Sequence, residues 1–496
     1  MSDQQSTPVI PKKYLLSFIL VTVLFALWGF ANNFTDPMVK VFKDVFAISN
    51  AQSAWVQKAF YGGYATMAIP AALFIRKFSY KAGIIVGLIL FATGALLSIP
   101  AANSVNFWLF IGAIYILTFG LAFLETTANP YILSMGDAST STRRLNLAQA
   151  FNPIGSLAGA AIATSFVLTN VQVADFKNDV NGYKQELSSE KTEAADLKIL
   201  PFLKVKERER KNDPNVKAYV TATTSEETTV DQALVDFREG KIESYQGLTF
   251  PELQKKDLNL VSTTYMTLGL IVLGTLVIFL ISKFPSTAKS DEDKESIDFI
   301  PTVGRLFTNP RYVGGIITQM FYVGAQIMVW TFIIQYAENE LGMDNATAGK
   351  HQIAALVLFL SFRFICTAFL KYVSPGKLLA VLAIGGILTT LGAIHITGMN
   401  GLYSLMLISA CMSLMFPTIY GLALEGIGQD AKLGSAGLIL AIVGAVWLTG
   451  FQASILDLDS FMGTTATRGS FYLSVGCFII IAAYGIMCRN PRLKTS

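Results

Sequence analysis

Charged residues, histidine and cysteine are scarce in this chain. Asp, Glu, Lys and Arg make up 15% of its 496 residues, whereas an average soluble chain carries about 25%. The net charge of +4 is too small to indicate nucleic-acid binding. The two histidines and four cysteines show no CxxC or Cys/His ligand spacing, so neither a metal site nor a cofactor is expected.

Long apolar runs dominate the chain instead. Hydrophobic residues make up 52% of it, and its mean hydropathy is +0.50. The runs are about 20 residues long, the length with which a helix crosses a hydrocarbon core. They predict an all-α membrane protein with twelve transmembrane spans at 14–36, 52–75, 81–101, 106–134, 145–169, 259–283, 311–337, 346–371, 377–397, 402–424, 432–454 and 468–488.

Two polar stretches interrupt these runs. Residues 170–258 contain no run long enough to span a membrane, and both a helical cap and a disordered insert fit their composition. They carry no binding motif, so we expect removal of most of 175–255 to leave the spans functional. The predicted organisation is spans 1–5 in 1–169, the insert in 170–258, span 6 in 259–284, a linker in 285–310 and spans 7–12 in 311–496.

Lysine and arginine are concentrated in alternate connections. One set includes Arg76 and Lys371, whereas the opposite short connections hold mainly Lys40, Lys43 and Arg468. Because cytoplasmic loops carry the excess of positive charge, this pattern predicts that both termini are cytoplasmic and that the insert lies on the other side.

Two carboxylates, Asp36 and Glu125, lie within predicted spans. A charged side chain at the bilayer centre costs several kcal/mol or more (about 2.5–17), so an intramembrane acid is a functional hypothesis by default. Binding a proton removes the charge and thereby lowers that cost. The pair therefore indicates proton-linked movement of a solute.

The two halves of the chain are similar to each other. FIRKFSYKAGIIVGL in the first half and TAFLKYVSPGKLLAVL in the second both place basic, aromatic and serine residues between two spans. Two parallel six-helix repeats are the plan of the major facilitator superfamily, whose substrate site lies between the halves. That superfamily's loop between spans 2 and 3 normally carries an Asp, but Arg76 stands at this position.

Several motifs resemble one branch of that superfamily, the bacterial L-fucose:proton symporters. These are LWGFANNFTD, QKAFYGGY, LETTANPYI, RRLNLAQAFNPIGS and YVGAQIMVWTFIIQYAENE. The resemblance implies import of a monosaccharide, L-fucose first, with protons and by alternating access. Glucose/galactose and amino-sugar permeases of the same family are the alternative. It also implies a bacterial inner-membrane location, a lipid bilayer as the only other partner, and a monomer.

The resemblance also implies site residues. Asp36 and Glu125 would carry proton coupling, Glu125 would also contact the sugar, and Asn152 would bind it. Gln149 lies one turn before Asn152 and is expected to face the same cavity. The remaining candidates are amides that suit sugar hydroxyls and rings that suit its apolar face: Gln326, Asn32, Asn33, Trp28, Phe123 and Tyr322.

Two basic residues are candidate modulators. Lys58 could approach Asp36 from span 2, which would leave cation-linked or facilitated transport open, or it could extend to the membrane interface. Arg363 could hold a carboxylate or carbonyl across the cavity, brace a gate, or extend to the membrane surface. A sugar sensor with a transporter-like body is the alternative from another class, whereas an enzyme would need a catalytic set that the sequence lacks.

Overall fold

The computed structural model describes residues 8–188, 210–223, 230–285, 299–343 and 345–490. It confirms an all-α membrane protein with twelve transmembrane helices in two six-helix halves. Eleven helical segments in the described residues meet the length and hydropathy expected of a membrane span. The other predicted span is the helix Trp55–Lys77, whose Gln57, Lys58 and Arg76 lower its hydropathy.

In the first half, the helices lie close to the predicted ranges except for span 6. That helix starts at Phe250, well before the predicted 259, because a capping box between Thr249 and Glu252 begins it inside the polar insert. The spans are Leu15–Thr35, Trp55–Lys77, Tyr80–Leu96, Phe107–Ser134, the broken span 5 (Ser141–Gln149, Asn152–Ile162 and the π-helical Ala163–Leu168) and Phe250–Ile281.

The second half contains two further broken spans. Spans 7–12 are Pro310–Leu341, Asn345–Phe369, Pro375–His395, Met399–Met412 with Met415–Ala423, Ala431–Leu440 with Gly444–Leu456, and Tyr472–Met487. A short antiparallel hairpin, Ser460–Phe461 with Thr464–Thr465, precedes span 12. A separate helix, Phe299–Phe307, precedes span 7, and we call the end of the bundle where it lies the linker end.

The two halves contact each other at the linker end. Asn146 Nδ2 of span 5 donates to Thr418 Oγ1 of span 10 over 3.1 Å. A Cβ atom at Gly421 would lie only 2.7 Å from Thr142 Oγ1, so spans 5 and 10 approach closely here. Arg76 Nη1 also donates to Thr302 of the separate helix over 3.0 Å. The conformation is therefore closed at the linker end.

The described part of the insert forms a helical cap on the opposite end of the bundle, the cap end. Its helices are Gln172–Ser188, Pro214–Ala222 and Val230–Arg238. Phe176 stacks on Phe237 with ring centroids 5.0 Å apart, and Phe237 contacts Phe250 of span 6 at 5.5 Å. The helical alternative is thus correct for these residues, and the core of the cap continues into span 6.

Hydrogen bonds and ion pairs fasten the cap to the first half. The carboxylate of Asp257 in span 6 accepts from the backbone N–H groups of Gln172 and Val173 at 2.8 and 2.9 Å, which satisfies the first turn of a cap helix. Lys177 bridges Asp44 and Asp231 at 2.7 and 2.6 Å. We call this last group, completed by Lys43 bound to Asp231 at 2.9 Å, the ion-pair clamp.

The structure argues against a neutral deletion of 175–255. Such a deletion would remove the first turn of span 6, which begins at Phe250. It would also remove Lys177 and Asp231, and so leave Asp44, whose side chain is 8% exposed, without its cation. A buried charge that loses its partner is destabilising.

The clamp provides a first testable prediction. Lys177→Ala should weaken docking of the cap by about 1 kcal/mol, or roughly fivefold in the opening equilibrium, because it removes two ion pairs at once. Hydrogen-exchange mass spectrometry of 172–186 should show correspondingly faster exchange. Lys40→Ala, at an exposed lysine on the same surface, is the matched control, and equal exchange in both variants would contradict the clamp.

Candidate functional site

A central cavity of ≈130 Å³ lies between the two halves. This volume is below the roughly 300 Å³ at which drug-sized ligand sites begin, so the cavity suits a small molecule. Spans 1, 2, 5, 7, 8, 10 and 11 contribute to it. Most of the predicted site residues line it: Trp28, Asn32, Asn33, Asp36, Gln149, Asn152, Tyr322, Gln326 and Arg363.

Close packing of spans 1 and 5 positions the first-half side chains. A Cβ atom at Gly155 would lie 1.8 Å from the carbonyl oxygen of Ala26, so only glycine permits this approach. Asn152 Nδ2 then reaches the backbone oxygen of Phe25 over 3.2 Å. Both Asn32 and Asn33 lie within the helix Leu15–Thr35 and line the cavity, where their amides add donors and acceptors.

Glu125 is buried and is absent from the described cavity lining. It is 4% exposed, and its Oε2 atom has no hydrogen-bond partner among the described side chains. The phenol of Tyr64 is within electrostatic reach of this carboxyl group and lines the cavity. Trp28 Nε1 donates to that phenol.

Hydrogen bonds connect the backbone of Glu125 to span 5. Asn129 Nδ2 donates to the Glu125 carbonyl oxygen over 3.0 Å. Gln149 Nε2 in turn donates to Asn129 Oδ1 over 2.7 Å. These amides are buried, so each bond replaces one that water would otherwise supply. Gln149 therefore belongs both to the cavity lining and to the surroundings of the acid.

Asp36 occupies a different environment from Glu125. It is exposed and lies just beyond the last residue of the helix Leu15–Thr35. It lines the central cavity and also a second cavity of ≈350 Å³ at the cap end, which Lys40, Asp44 and Lys177 share. Asp36 thus stands where the central cavity meets the space beneath the cap.

Lys58 does not pair with Asp36 in the part of the chain that the structure describes. Its side chain is exposed, and its ammonium nitrogen lies 4.7 Å from the centre of the Trp55 ring. The interfacial interpretation of Lys58 therefore fits the geometry, whereas the pairing interpretation does not. Phe123 likewise contacts Phe74 at 5.6 Å and is absent from the described cavity lining.

Arg363 lies on the cavity surface but is only 3% exposed. Its guanidinium carbon is 4.9 Å from the centre of the Phe359 ring. Its Nη1 atom donates to the Gln149 carbonyl oxygen over 3.0 Å, and its Nε atom donates to the Ser413 carbonyl oxygen. It does not extend to the membrane surface, which was one of the sequence-based alternatives.

Several cavity residues were not predicted from the sequence. Tyr61 and Tyr64 of span 2, Ser156 of span 5 and Trp330 of span 7 all line the cavity. A signal for the tyrosines was present in QKAFYGGY, because residues three apart share one face of a helix. Trp330 lies four residues after Gln326 and could have been found in the same way.

Comparison with known proteins places the chain among transporters. The model of the Major Facilitator Superfamily matches residues 17–174. The L-fucose-proton symporter of Haemophilus influenzae is 44% identical over 477 residues, which cover 96% of this chain and 97% of the relative. The glucose/galactose transporter of Brucella abortus is 27% identical over an alignment that covers 96% of this chain and 95% of the relative.

A solved structure agrees with this result. The crystal structure of the transporter FucP in the outward conformation matches with a TM-score of 0.75 and 28% identity, covering 97% of this chain and 100% of that one. The fold and the cavity define a membrane transporter of the major facilitator superfamily, not an enzyme. Within that superfamily the chain belongs to the family of the L-fucose–proton symporter.

Packing between spans 1 and 5 gives a second prediction. Gly155→Ala should destabilise the first half by roughly 1–3 kcal/mol, because the added methyl group overlaps the Ala26 carbonyl. Thermal inactivation in detergent, followed by size-exclusion chromatography, would measure the loss. Gly112→Ala is the control, since nothing lies within 4 Å of a Cβ atom there, and equal losses in both variants would contradict the close-packing argument.

Proposed function

We propose that this protein imports L-fucose together with protons by alternating access. The observation that carries the proposal is the central cavity, in which amides and aromatic rings from both halves surround a small space. Identity of 44% to a protein named an L-fucose-proton symporter supports the choice of sugar. Glucose or galactose is the second candidate, because relatives with those substrates match almost the whole chain.

The amides of the cavity would bind sugar hydroxyls. The first half contributes Gln149 and Asn152 to the cavity, and the second half contributes Gln326. Each amide can donate and accept hydrogen bonds at once. Asn32 and Asn33 would add further hydrogen bonds along span 1. The Trp28 ring would pack on the apolar face of the sugar, and its bond to Tyr64 fixes the orientation of the indole.

The two acids would act in sequence. Asp36 faces solvent where the two cavities meet, so it would take up a proton from the cap end. Glu125 is buried without a donor to Oε2, and a proton there would remove the main cost of its burial. Contact between Glu125 and the sugar would require a rearrangement of the cavity wall, because Glu125 is absent from the described cavity lining.

The proposal includes a membrane orientation. The basic residues Arg76, Lys81 and Arg305 lie at the linker end, so we assign this end and both termini to the cytoplasm of a bacterial inner membrane. The insert, 170–258, would then be extracytoplasmic and the linker, 285–310, cytoplasmic. The first half (1–169 with span 6) and the second half (311–496) would move about the cavity, within a monomer.

A transport assay tests the function directly. Right-side-out vesicles should accumulate radiolabelled L-fucose when an inward proton gradient is imposed, and a protonophore should abolish the accumulation. Dependence on sodium with insensitivity to the protonophore would contradict proton coupling. Competition by unlabelled L-fucose, glucose, galactose and amino sugars would identify the sugar, and binding without accumulation would favour a sensor instead.

The acids give a separate prediction. Glu125→Gln should abolish accumulation more completely than Asp36→Asn, because Glu125 is buried whereas Asp36 is exposed to water that can itself relay protons. Exchange of labelled for unlabelled sugar across the membrane of the same vesicles should survive in Glu125→Gln if the residue acts only in proton coupling. Normal accumulation by Glu125→Gln would remove this residue from the mechanism.

A further inference from the structure

Prolines in spans 5 and 10 leave two backbone carbonyls without their usual donors. In an α-helix the N–H of residue i bonds to the carbonyl of residue i−4. Proline has no N–H, so Pro153 cannot serve the Gln149 carbonyl and Pro417 cannot serve the Ser413 carbonyl. Such groups are tolerated within a membrane only where another part of the protein or a water-filled cavity satisfies them.

One side chain serves both carbonyls. Arg363 of span 8 donates through Nη1 to Gln149 O over 3.0 Å and through Nε to Ser413 O. Gln149 belongs to the first half of the molecule, whereas Ser413 and Arg363 itself belong to the second. The planar guanidinium group presents its donors in a fixed fork, so it can hold two acceptors at once.

We propose that Arg363 is a latch between the halves, which stabilises the conformation closed at the linker end by satisfying the proline-freed carbonyls of Gln149 and Ser413. Separation of the halves at this end would break the bond to Gln149. The Gln149 carbonyl would then depend on water, which enters only when that end opens. Arg363 is therefore a positioning residue, and the inference rests on the alternating-access cycle proposed above.

The burial of Arg363 supports this role. The side chain is 3% exposed, and no carboxylate pairs with it among the described residues. A buried cation without an acid is costly unless polar groups solvate it, and here the carbonyls and the Phe359 ring do so. The closed conformation thus supplies an environment for the charge that one half alone would lack.

The latch also touches the surroundings of the buried acid. Gln149 accepts from Arg363 through its backbone and donates through its side chain to Asn129, which donates to the Glu125 carbonyl oxygen. These bonds run continuously from the helix of Glu125 to the contact between the halves. A change at Glu125 that moves Asn129 would therefore reach Gln149 and the latch.

A cysteine-accessibility experiment tests the latch. Thr142→Cys places a reporter in the closed contact beside Gly421, where Thr142 is 7% exposed. Its labelling rate by a maleimide is measured in detergent without sugar, with the parent chain and its four native cysteines as background. Arg363→Met should raise the rate roughly tenfold, since it removes the charge-assisted hydrogen bond to the Gln149 carbonyl, which joins the halves only in the closed state. Arg363→Lys should give an intermediate rate.

Arg311→Met is the matched control. Arg311 is also partly buried at the linker end, but its bonds to Glu425 and to the Asn490 carbonyl lie within the second half. Its loss should leave the labelling rate near that of the parent. An unchanged rate in Arg363→Met, or an equal increase in Arg311→Met, would overturn the latch. Because no sugar is present, neither result depends on which sugar is transported.

A double-mutant cycle keeps the proposal testable if Arg363→Met folds poorly. Pro153→Ala restores an N–H that can bond to the Gln149 carbonyl and so competes with Arg363. Pro153→Ala alone should therefore raise the labelling rate. In the double variant Pro153→Ala/Arg363→Lys, the increase in labelling rate should be smaller than the product of the two single increases, because both substitutions act on the Gln149 carbonyl. Independent, multiplying effects would contradict the shared acceptor.

Discussion

Backbone carbonyls that lack a helical donor must find another one inside the membrane, and this constraint shapes the centre of the molecule. Pro153 and Pro417 create two such carbonyls on either side of the boundary between the halves. A single arginine, Arg363, satisfies both carbonyls. The hydrogen bond to the Gln149 carbonyl therefore depends on contact between the halves. Breaks in the helices make room for a solute in the cavity. The same breaks free the carbonyls whose contact with Arg363 closes the cavity at the linker end.

The two intramembrane acids differ in their access to water, which is the physical basis for giving them different roles. Asp36 lies at the end of span 1, where the chain turns into the short helix Met38–Val45 and the central cavity meets the cap-end cavity. Glu125 is buried within span 4. The exposed carboxyl group of Asp36 can exchange protons with solvent in the present conformation. The buried carboxyl group of Glu125 can do so only after its surroundings change.

The twelve spans could be predicted from the sequence because burial in lipid imposes long apolar runs on nearly all of them. Cavity residues such as Asn152 and Gln326 could be predicted because polar side chains are conspicuous within such runs. Arg363 was visible for the same reason, but its partners are backbone carbonyls distant in sequence, which composition does not reveal. The early start of span 6 at Phe250 was missed because its first turns are polar and their helix is set by a local cap and by tertiary contacts.

The ion-pair clamp holds the cap next to Asp36, the acid that would take up protons at the cap end. Hydrogen bonds from Lys177 and then Lys43 hold the pKa of Asp231 below its ordinary value. A carboxylate whose pKa is lowered on folding contributes stability above its unfolded pKa, and loses it only as the pH falls through the folded value. The clamp therefore persists in the mildly acidic medium that would supply protons at the cap end. Because it is fastened to Asp44 in the helix that follows Asp36, the cap holds the surroundings of the outer acid in place under the conditions in which that acid would take up its proton.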